Sequence, residues 1–438
     1  MRGSGFLWGV STSAYQIEGA VDADGRGRTI WDEFTRNPGA VANGDNGDIA
    51  CDHYHRWPED IDLMTKLGVG AYRFSLAWAR LLPGGIGQPN EKGIAFYDRL
   101  IDGLLERGID PWICLYHWDL PQALQDRGGW VNRDIAGWYA DYAALVAARF
   151  GDRARAFATF NEPGVFTLSG YGGGIHAPGI KDSNAMMAAI HNVARAHHAA
   201  LPVLRATGVP VGVIGAFWPM RGERPDDAGG AMMMDMLFNW ACPDAMVTGA
   251  YPPTLPMLMG DVIEEADLSA ETAGADFIGI NHYAPMYIRT NEAGGQELGA
   301  PPADVPLSGM GWQIDPPAFT AMLETVAERY PGVPLYVTEN GIGLDEPDGD
   351  LNDTTRVAYL RDYLGALAEA RKRGVDVRGY FAWSLLDNFE WAEGHAKRFG
   401  LVRVSPDDLT RRPKQSFHAY RDAIAAGVPS RSTPIGEI

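Results

Sequence analysis

Two glutamates, Glu162 and Glu339, each end a short apolar segment of the type that forms a buried strand. Residues 158–161 and 335–338, which precede them, contain β-branched and aromatic side chains, and a Pro or Gly soon afterwards stops each strand. A carboxylate beside an apolar strand is costly to bury. We therefore predict that the two glutamates are a pair of catalytic carboxylates at the mouth of a sheet or barrel. The alternative is that each one caps the helix that follows its strand.

Polar and aromatic side chains gather at the ends of other strand-like segments in the same way. Carboxylates, amides and imidazoles exchange hydrogen bonds with vicinal hydroxyls, and an indole offers a flat apolar face to a sugar ring. These strand ends are therefore predicted to bind a hydroxyl-rich ligand. The alternative for the indoles is core packing, and for the amide and imidazole groups it is capping of a strand end. The residues concerned are Gln16, Arg73, His117, Trp118, Asn161, Asn281, Tyr283, Trp383, Glu390 and Trp391.

These residues need a scaffold that brings distant strand ends together, and strand-like segments alternate with helix-period segments along the chain. Several strands follow a basic residue or Thr and a Gly, which is typical of a helix end that leads into a parallel strand. The pattern favours an α/β fold, in which one (β/α)8 TIM barrel spans residues 1–438 as a single catalytic domain with its active site at the C-terminal ends of the strands. A doubly wound sheet is the alternative, but it would normally carry a Gly-rich phosphate loop after an early strand. The predicted strands are 6–12, 71–78, 111–117, 156–161, 211–217, 277–283, 335–339 and 378–385, and the predicted helices include 134–149, 184–207, 316–330 and 355–372.

The amino-acid composition and net charge limit the classes of molecule that the protein is expected to bind. The net charge of −19 argues against binding to nucleic acid or to an anionic membrane surface, and favours a small uncharged substrate. Cys51, Cys114 and Cys242 are odd in number and widely spaced, which fits neither a disulfide framework nor a zinc site and indicates a reducing compartment. No signal-peptide core or membrane-length apolar run is present in the sequence, so a cytoplasmic location is predicted, with no metal and no cofactor. A homo-oligomer is left open.

A series of motifs spread over almost the whole chain resembles those of family 1 glycoside hydrolases, in particular the bacterial β-glucosidases of that family. Any one of them could arise by chance, but their occurrence together and in order carries the resemblance. The motifs are FLWG at 6–9 with QIEG at 16–19, YRFS at 72–75, HWDLP at 117–121, TFNEP at 159–163, NHY at 281–283, TENG at 338–341 and WSLLDNFEW at 383–391.

The resemblance implies a retaining, two-step mechanism. Glu162 matches the general acid/base and Glu339 the nucleophile, with Arg73 and Tyr283 orienting the nucleophile and Arg73 lowering its pKa. Retention requires the two carboxyl groups to lie about 5–5.5 Å apart. The substrate-binding residues that the resemblance implies are Gln16, His117, Trp118, Asn161, Asn281, Tyr283, Trp312, Trp383, Glu390 and Trp391.

The resemblance also implies a substrate class. The expected activity is hydrolysis of terminal non-reducing β-D-glucosyl residues from aryl glucosides, cellobiose or short oligosaccharides, as in cellulose degradation. A β-galactosidase or β-fucosidase, a transglycosylating enzyme and a non-catalytic carbohydrate-binding barrel remain alternatives, although the last would be expected to lack one of the two carboxylates. One departure from the family pattern is Gly164, where many relatives carry a large side chain, and it predicts an open wall at the aglycone entrance.

Overall fold

Eight parallel strands close into a barrel in the computed structural model, which describes residues 5–264, 267–347 and 349–427. Neighbouring strands follow the order β1-β8-β7-β6-β5-β4-β3-β2, and β2 pairs with β1 to close the ring. The predicted (β/α)8 fold class is therefore confirmed. The predicted domain span of 1–438 includes terminal residues that lie outside the described ranges. The strands are β1 Leu7–Ser11, β2 Ala71–Ser75, β3 Asp110–Tyr116, β4 Ala156–Asn161, β5 Val211–Ala216, β6 Phe277–Asn281, β7 Leu335–Asn340 and β8 Val377–Trp383.

Each barrel strand is followed by a helix. In the second of these helices, Ile94, Tyr97, Ile101 and Leu104 are all buried, and their spacing of three or four residues places them on one face of the helix. The four helices predicted with bounds begin and end within two residues of the observed ones. The helices are α1 His53–Leu67, α2 Glu91–Glu106, α3 Ile135–Phe150, α4 Ser183–Arg205, α5 Ala241–Thr248, α6 Pro316–Arg329, α7 Thr354–Lys372 and α8 Gln415–Ala426.

Several predicted strands extend too far at their C-terminal ends. Strand β2 stops at Ser75, because the chain then turns into the short helix Trp78–Leu81. The residues just after a strand are apolar or aromatic because they line the barrel mouth, so their composition does not mark the end of the strand. The sequence analysis also missed two small sheets, one formed by Met220–Gly222, Met286–Thr290 and Gln296–Leu298 and the other by Val402–Val404 and Arg411–Pro413.

Short helices make up much of the remaining loop structure around the barrel mouth. The short α-helices are Ala14–Ile17, Ile30–Phe34, Trp78–Leu81, Gln122–Gln125, Pro163–Thr167, Ala228–Asp235 and Leu255–Met259; the π-helical turns are Leu168–Gly172 and Met236–Trp240; and the 3-10 turns are Ala23–Gly25, Ala42–Gly44, Gly129–Val131, Pro225–Asp227, Gly260–Val262 and Trp391–Glu393. Two of these helices begin at or next to residues of the predicted site.

A layer of aromatic side chains fills the N-terminal half of the barrel. The ring of Trp112 on β3 lies 5.1 Å from that of Phe277, 5.1 Å from that of Phe381 and 4.8 Å from that of Tyr336, measured between centroids. Parallel barrels fill their interior with layers of large side chains from several strands. Here the layer is aromatic and forms a floor beneath the polar strand ends.

Glycines on neighbouring strands make room for this floor. Gly9 is the register partner of Phe381, and a Cβ atom at position 9 would lie 2.3 Å from the Phe381 ring. Gly212 is the partner of Phe277, and a Cβ atom there would also lie 2.3 Å from a ring atom. Because close-packed interiors tolerate little added volume, these pairs determine where the large rings can lie.

A buried ion pair anchors the loop that follows β1. Arg80 donates through Nε to Glu18 Oε2 at 2.9 Å, and the Tyr97 hydroxyl donates to Glu18 Oε1 at 2.5 Å. The Arg80 side chain is fully buried and that of Glu18 is 5% exposed. Burial of both charges is tolerated because each has a hydrogen-bonded partner of opposite sign or polar character. The pair holds the segment that carries Gln16 against α2.

Two observations concern the predicted cytoplasmic location: the state of the cysteine thiols and the hydrophobicity of the helices. Cys51, Cys114 and Cys242 are buried free thiols. Within the described ranges, no helix combines the length and the hydrophobicity needed to cross a bilayer. Among the same residues, no group of three or more His, Cys, Asp and Glu side chains is placed to hold a metal ion.

We predict that Glu18→Gln lowers the free energy of unfolding by about 3–5 kcal/mol, because Arg80 would then be a buried charge without a counter-charge. Equilibrium unfolding in urea measures the loss. Asp362→Asn is the matched control, since its ion pair with Arg361 is exposed and such pairs contribute about 0–1 kcal/mol. Equal losses in the two variants would show that the buried pair does not anchor the loop.

Candidate active site

The two predicted catalytic glutamates lie at the C-terminal ends of β4 and β7. Glu162 directly follows β4 and is 5% exposed, and Glu339 is the penultimate residue of β7 and 3% exposed. Glu162 has a φ of 47° and immediately precedes the helix Pro163–Thr167. A left-handed conformation is uncommon for a residue with a side chain, and it turns the chain sharply from the strand into that helix. Both carboxylates are therefore held by rigid elements at the barrel mouth.

Both oxygens of Glu339 accept hydrogen bonds from the residues predicted to orient it. Arg73 Nη1 donates to Oε1 at 2.5 Å, and the Tyr283 hydroxyl donates to Oε2 at 2.7 Å. Arg73 is 2% exposed, so this ion pair is shielded from solvent and is little screened by salt. The carboxylate of Glu339 is fixed in both position and rotation.

An amide network extends from Arg73 to the neighbouring strands. Asn161 Oδ1 accepts from Arg73 Nη2 at 2.5 Å and from Asn281 Nδ2 at 2.9 Å, and Asn281 Oδ1 in turn accepts from the Thr338 hydroxyl at 2.7 Å. These bonds orient the Asn161 amide with Nδ2 directed towards His117 Nε2, 3.1 Å away. The amide can only donate there, so His117 Nε2 accepts and the neutral ring carries its proton on Nδ1.

With its proton on Nδ1, His117 can act as a hydrogen-bond donor through that atom. Burial and the positive charge of Arg73 hold the pKa of His117 well below its ordinary value. Its Nδ1 is buried and has no hydrogen-bond partner in the part of the chain that the structure describes. An uncharged donor of this kind, in a site rich in hydroxyl-binding groups, suits a sugar hydroxyl as acceptor.

The pKa values of the two glutamates are raised to different extents. Burial and the negative charge of Glu339 raise the pKa of Glu162 well above its ordinary value. Burial also raises the pKa of Glu339, while the charge of Arg73 and the hydrogen bonds from Arg73 and Tyr283 lower it. Arg73 thus acts in the predicted direction, but burial outweighs it. Glu339 ionises first, and its charge then keeps the proton on Glu162.

A third carboxylate, that of Glu390, lies beside Gln16. Gln16 Nε2 donates to the carbonyl of Phe389 at 2.9 Å and to Asn388 Oδ1 at 3.1 Å, and it lies 3.5 Å from Glu390 Oε2. Burial, followed by the charges of Glu339 and Glu393, raises the pKa of Glu390 to about 8. The raised pKa favours the protonated carboxyl group, which can both donate and accept a hydrogen bond.

Aromatic rings enclose this side of the site. The His117 ring stacks at 5.9 Å on both Trp383 and Trp391, with interplanar angles of 16° and 20°. Trp391 also lies 4.6 Å from Trp118 and 4.6 Å from Trp31. Trp118 donates through Nε1 to the carbonyl of Asn161 at 2.9 Å. Trp118 therefore contacts both Trp391 and Asn161, and its role in substrate binding stays a prediction.

A second aromatic group lies around Tyr283, the residue that donates to Glu339. The ring of Trp218 is 5.6 Å from Tyr283 and 5.0 Å from Trp312, which is itself 5.7 Å from Tyr283. Trp312 is among the predicted substrate-binding residues, whereas Trp218 and the nearby Phe238 were not predicted. Trp218 follows β5 by two residues, so inspection of the end of that strand, as of the others, would have found it.

The predicted open wall at Gly164 is wrong. A Cβ atom at this position would lie 2.1 Å from the carbonyl oxygen of Phe238. The backbone of the π-helical turn Met236–Trp240 therefore occupies the space that a side chain at position 164 would need. The absence of a side chain at position 164 does not leave open space. It permits the backbone of another segment to approach.

The barrel places every residue of the predicted site at one end. The arrangement joins an ionisable carboxylate held by a guanidinium, a second carboxylate that keeps its proton, and a rim of hydroxyl-binding groups and indoles. Such a set can attack an acetal carbon and protonate its leaving oxygen. The individual roles in substrate binding remain predictions.

Comparison with known proteins agrees with this geometry. The model for glycosyl hydrolase family 1 matches residues 3–427. β-Glucosidase A of Thermotoga maritima is 42% identical over 432 residues, which cover 96% of this chain and 97% of the relative. A 1,4-β-D-glucan glucohydrolase of Thermotoga neapolitana is 41% identical with the same coverage.

A solved structure supports the same relationship. The β-glucosidase of Thermotoga maritima in complex with glucoimidazole superposes with a TM-score of 0.91 at 41% sequence identity, covering 97% of this chain and 98% of that one. The match extends over the whole barrel and its loops rather than over a fragment. The chain belongs to glycosyl hydrolase family 1.

Proposed function

We propose that the protein is a retaining β-glucosidase that removes terminal non-reducing β-D-glucosyl residues through a covalent glycosyl-enzyme. The observation that carries the proposal is the pair of buried glutamates with opposite protonation. Glu339 is fixed as a carboxylate by Arg73 and Tyr283, and Glu162 retains its proton beside it. The relatives described above, which are named β-glucosidase and 1,4-β-D-glucan glucohydrolase, support glucose as the glycone.

In the first step, an oxygen of Glu339 attacks the anomeric carbon and the bond from that carbon to the glycosidic oxygen breaks. Glu162 donates its proton to the departing oxygen, so that the aglycone leaves as a neutral alcohol. Arg73 and Tyr283 hold the attacking carboxylate in one orientation, which removes the entropic cost of aligning it during the reaction.

In the second step, formation of the glycosyl ester removes the negative charge from Glu339. One of the three causes that raise the pKa of Glu162, which are burial, Glu339 and Glu390, disappears with that charge. Glu162 can then exist as the carboxylate and take a proton from water as the water attacks the anomeric carbon. The bond from that carbon to the Glu339 oxygen breaks in the same step, which releases glucose and restores the Glu339 carboxylate. The two inversions together give retention of the β-configuration.

The residues proposed to hold the glycone include both hydrogen-bond donors and hydrogen-bond acceptors. His117 Nδ1 carries a proton without a partner among the described side chains, and the Asn161 amide is oriented by Arg73. We assign Asn161 to the 2-hydroxyl, where hydrogen bonds strengthen in the transition state. We assign the remaining hydroxyls to Glu390 and Gln16, which lie beside each other, and the apolar face of the sugar to Trp383.

We extend the proposal to the cellular role. The substrates are small β-glucosides, including cellobiose and short oligosaccharides from cellulose, and the enzyme works in the cytoplasm. The three free, buried thiols support a reducing compartment, and the relative named 1,4-β-D-glucan glucohydrolase supports a glucan-derived substrate. A panel of nitrophenyl β-glucoside, β-galactoside and β-fucoside separates the proposed glycone from its alternatives.

We predict that Glu339→Ala abolishes hydrolysis of 4-nitrophenyl β-D-glucoside, with a loss of about 10⁴-fold or more in kcat, the scale seen when a catalytic nucleophile is removed. Azide should restore turnover and yield α-D-glucosyl azide, because the small anion fits the vacated carboxylate space. Nitrophenol release and product stereochemistry are the measurements. Glu106→Ala, at the exposed end of α2, serves as control. Activity near that of the wild type without azide would show that Glu339 is not the nucleophile.

We predict that Glu162→Gln separates substrates by leaving group. Cleavage of cellobiose should fall by about 10²–10⁴-fold, the usual contribution of general acid catalysis. A dinitrophenyl β-D-glucoside needs no proton, so its first step should stay fast and give a pre-steady-state burst followed by slow turnover.

The pH profile of the same variant gives an independent measurement. In the wild type, kcat/KM should fall at low pH as Glu339 becomes protonated and at high pH as Glu162 loses its proton. The variant should lose the alkaline limb and keep the acidic one, because only Glu162 has been replaced. Equal slowing of both substrates in the first step would exclude Glu162 as the proton donor.

A further inference from the structure

We propose that Phe238 determines aglycone specificity: with Trp218 and Trp312 it forms a subsite that selects aromatic over sugar aglycones. The inference rests on the proposed glycosidase function and concerns the part of the substrate that leaves first. It assigns a role to a residue on the turn after β5, a region that the predicted catalytic and glycone-binding residues do not include.

The position of these rings relative to the catalytic pair identifies which part of the substrate they meet. Trp218 and Trp312 both contact Tyr283, the residue that donates to the nucleophile. Gly164, which the carbonyl of Phe238 approaches, lies in the helix Pro163–Thr167 that directly follows Glu162. Because Glu162 protonates the oxygen of the aglycone, a surface next to Glu162 faces the aglycone.

Phe238 is held in place by the backbone around it. Its carbonyl oxygen lies where a Cβ atom of residue 164 would be, at 2.1 Å, so glycine is required for this approach. The next residue, Asn239, donates through Nδ2 to the carbonyl of Trp218 at 2.8 Å and accepts from the Trp218 amide at 3.0 Å. This paired contact fixes the spacing of the Phe238 and Trp218 rings, whose centroids are 5.8 Å apart.

A second layer of bonds holds the turn itself. Asp235 accepts from Asn239 Nδ2 at 2.7 Å and from Trp240 Nε1 at 2.7 Å, one bond to each carboxylate oxygen. The turn Met236–Trp240 is π-helical, a form that is often found at functional sites. Phe238 therefore belongs to a preorganised wall, and little conformational entropy is lost when a ligand packs against it.

The chemistry of this wall suits an aromatic aglycone rather than a second sugar. The apolar side chains packed in the same cluster include Val165, Met220, Met286, Met310 and Phe399. Trp218 Nε1 is a buried donor without a partner among the described residues, and one donor matches a single ether or phenol oxygen. A glucosyl aglycone would bury several hydroxyls against this surface without hydrogen bonds, which costs free energy for each one.

Space for a substituted ring exists beyond Trp312. A cavity of about 180 Å³ adjoins this residue and is lined by Met286, Leu298 and Met310, with Tyr287 and Gln313 on its polar side. Leu298 is 63% exposed, so the cavity opens to solvent. An aryl group that stacks between Phe238 and Trp312 can carry a substituent into it.

The test compares alcohols of similar basicity as leaving groups. We expect wild-type kcat/KM for benzyl β-D-glucoside to exceed that for methyl β-D-glucoside by about tenfold or more, the scale expected when an aromatic ring is buried against others. Phe238→Ala should reduce the ratio of benzyl glucoside to cellobiose by about tenfold, and Phe238→Tyr should restore it. Met232→Ala, a residue 73% exposed on the preceding helix, is the matched control and should leave the ratio unchanged. Phe238→Leu provides a second truncation if the alanine variant does not fold.

Each outcome bears on a separate claim. If the wild type cleaves none of the three glucosides, the proposed function fails. If it cleaves them and truncation of Phe238 leaves the ratio unchanged, only the aglycone inference is overturned. Inhibition by deoxynojirimycin, which occupies the glycone side, should change less than twofold in the truncated variant, and a parallel loss of this inhibition would assign Phe238 a general structural role and overturn the inference.

Discussion

The buried guanidinium of Arg73 connects the nucleophile to the sugar-binding amides. It contacts Glu339 through one nitrogen and Asn161 through another, and a charge removed from water in this way is stable only when its partners are present. The geometry of Glu339, the rotation of the Asn161 amide and the tautomer of His117 all follow from these two bonds. Arg73 lies next to Trp112 in the strand register, so the aromatic floor supports the layer in which this charge sits.

The same charge separates the protonation states of the carboxylates. Arg73 forms its ion pair with Glu339, whereas the pKa values of Glu162 and Glu390 are raised by burial and by the charge of Glu339. Carboxylates that share a low-dielectric site cannot all be ionised together. Ionisation of Glu339 therefore favours the protonated forms of Glu162 and Glu390, and the Glu162 proton is released more easily once the charge on Glu339 has been consumed.

Local patterns in the sequence reveal the strands, the outer helices and the two glutamates, since strand period, helix period and Gly or Pro stops are local properties. The bounds of strands such as β2 were placed too far along, because the residues that line the mouth resemble strand residues. The wall formed by Trp218 and Phe238 could not be found in the same way, because it depends on a turn folding back onto the helix after Glu162. The raised pKa of Glu390 likewise depends on burial by distant segments. Gly164 shows most directly what the sequence alone cannot predict. A glycine can leave open space or allow another segment to approach closely, and only the fold decides which of the two occurs.

The aromatic floor formed around Trp112 closes the barrel at its N-terminal half, so the site has one opening. Under the proposed function, the glucosyl unit enters first and lies deepest, with the aglycone between it and the solvent. The aglycone leaves first, because the glucosyl unit is then esterified to Glu339 and glucose forms only when water enters from the side that the aglycone has left. A closed-ended pocket of this kind also admits only the terminus of a chain, so a longer glucan can be shortened one unit at a time but not cut in its interior.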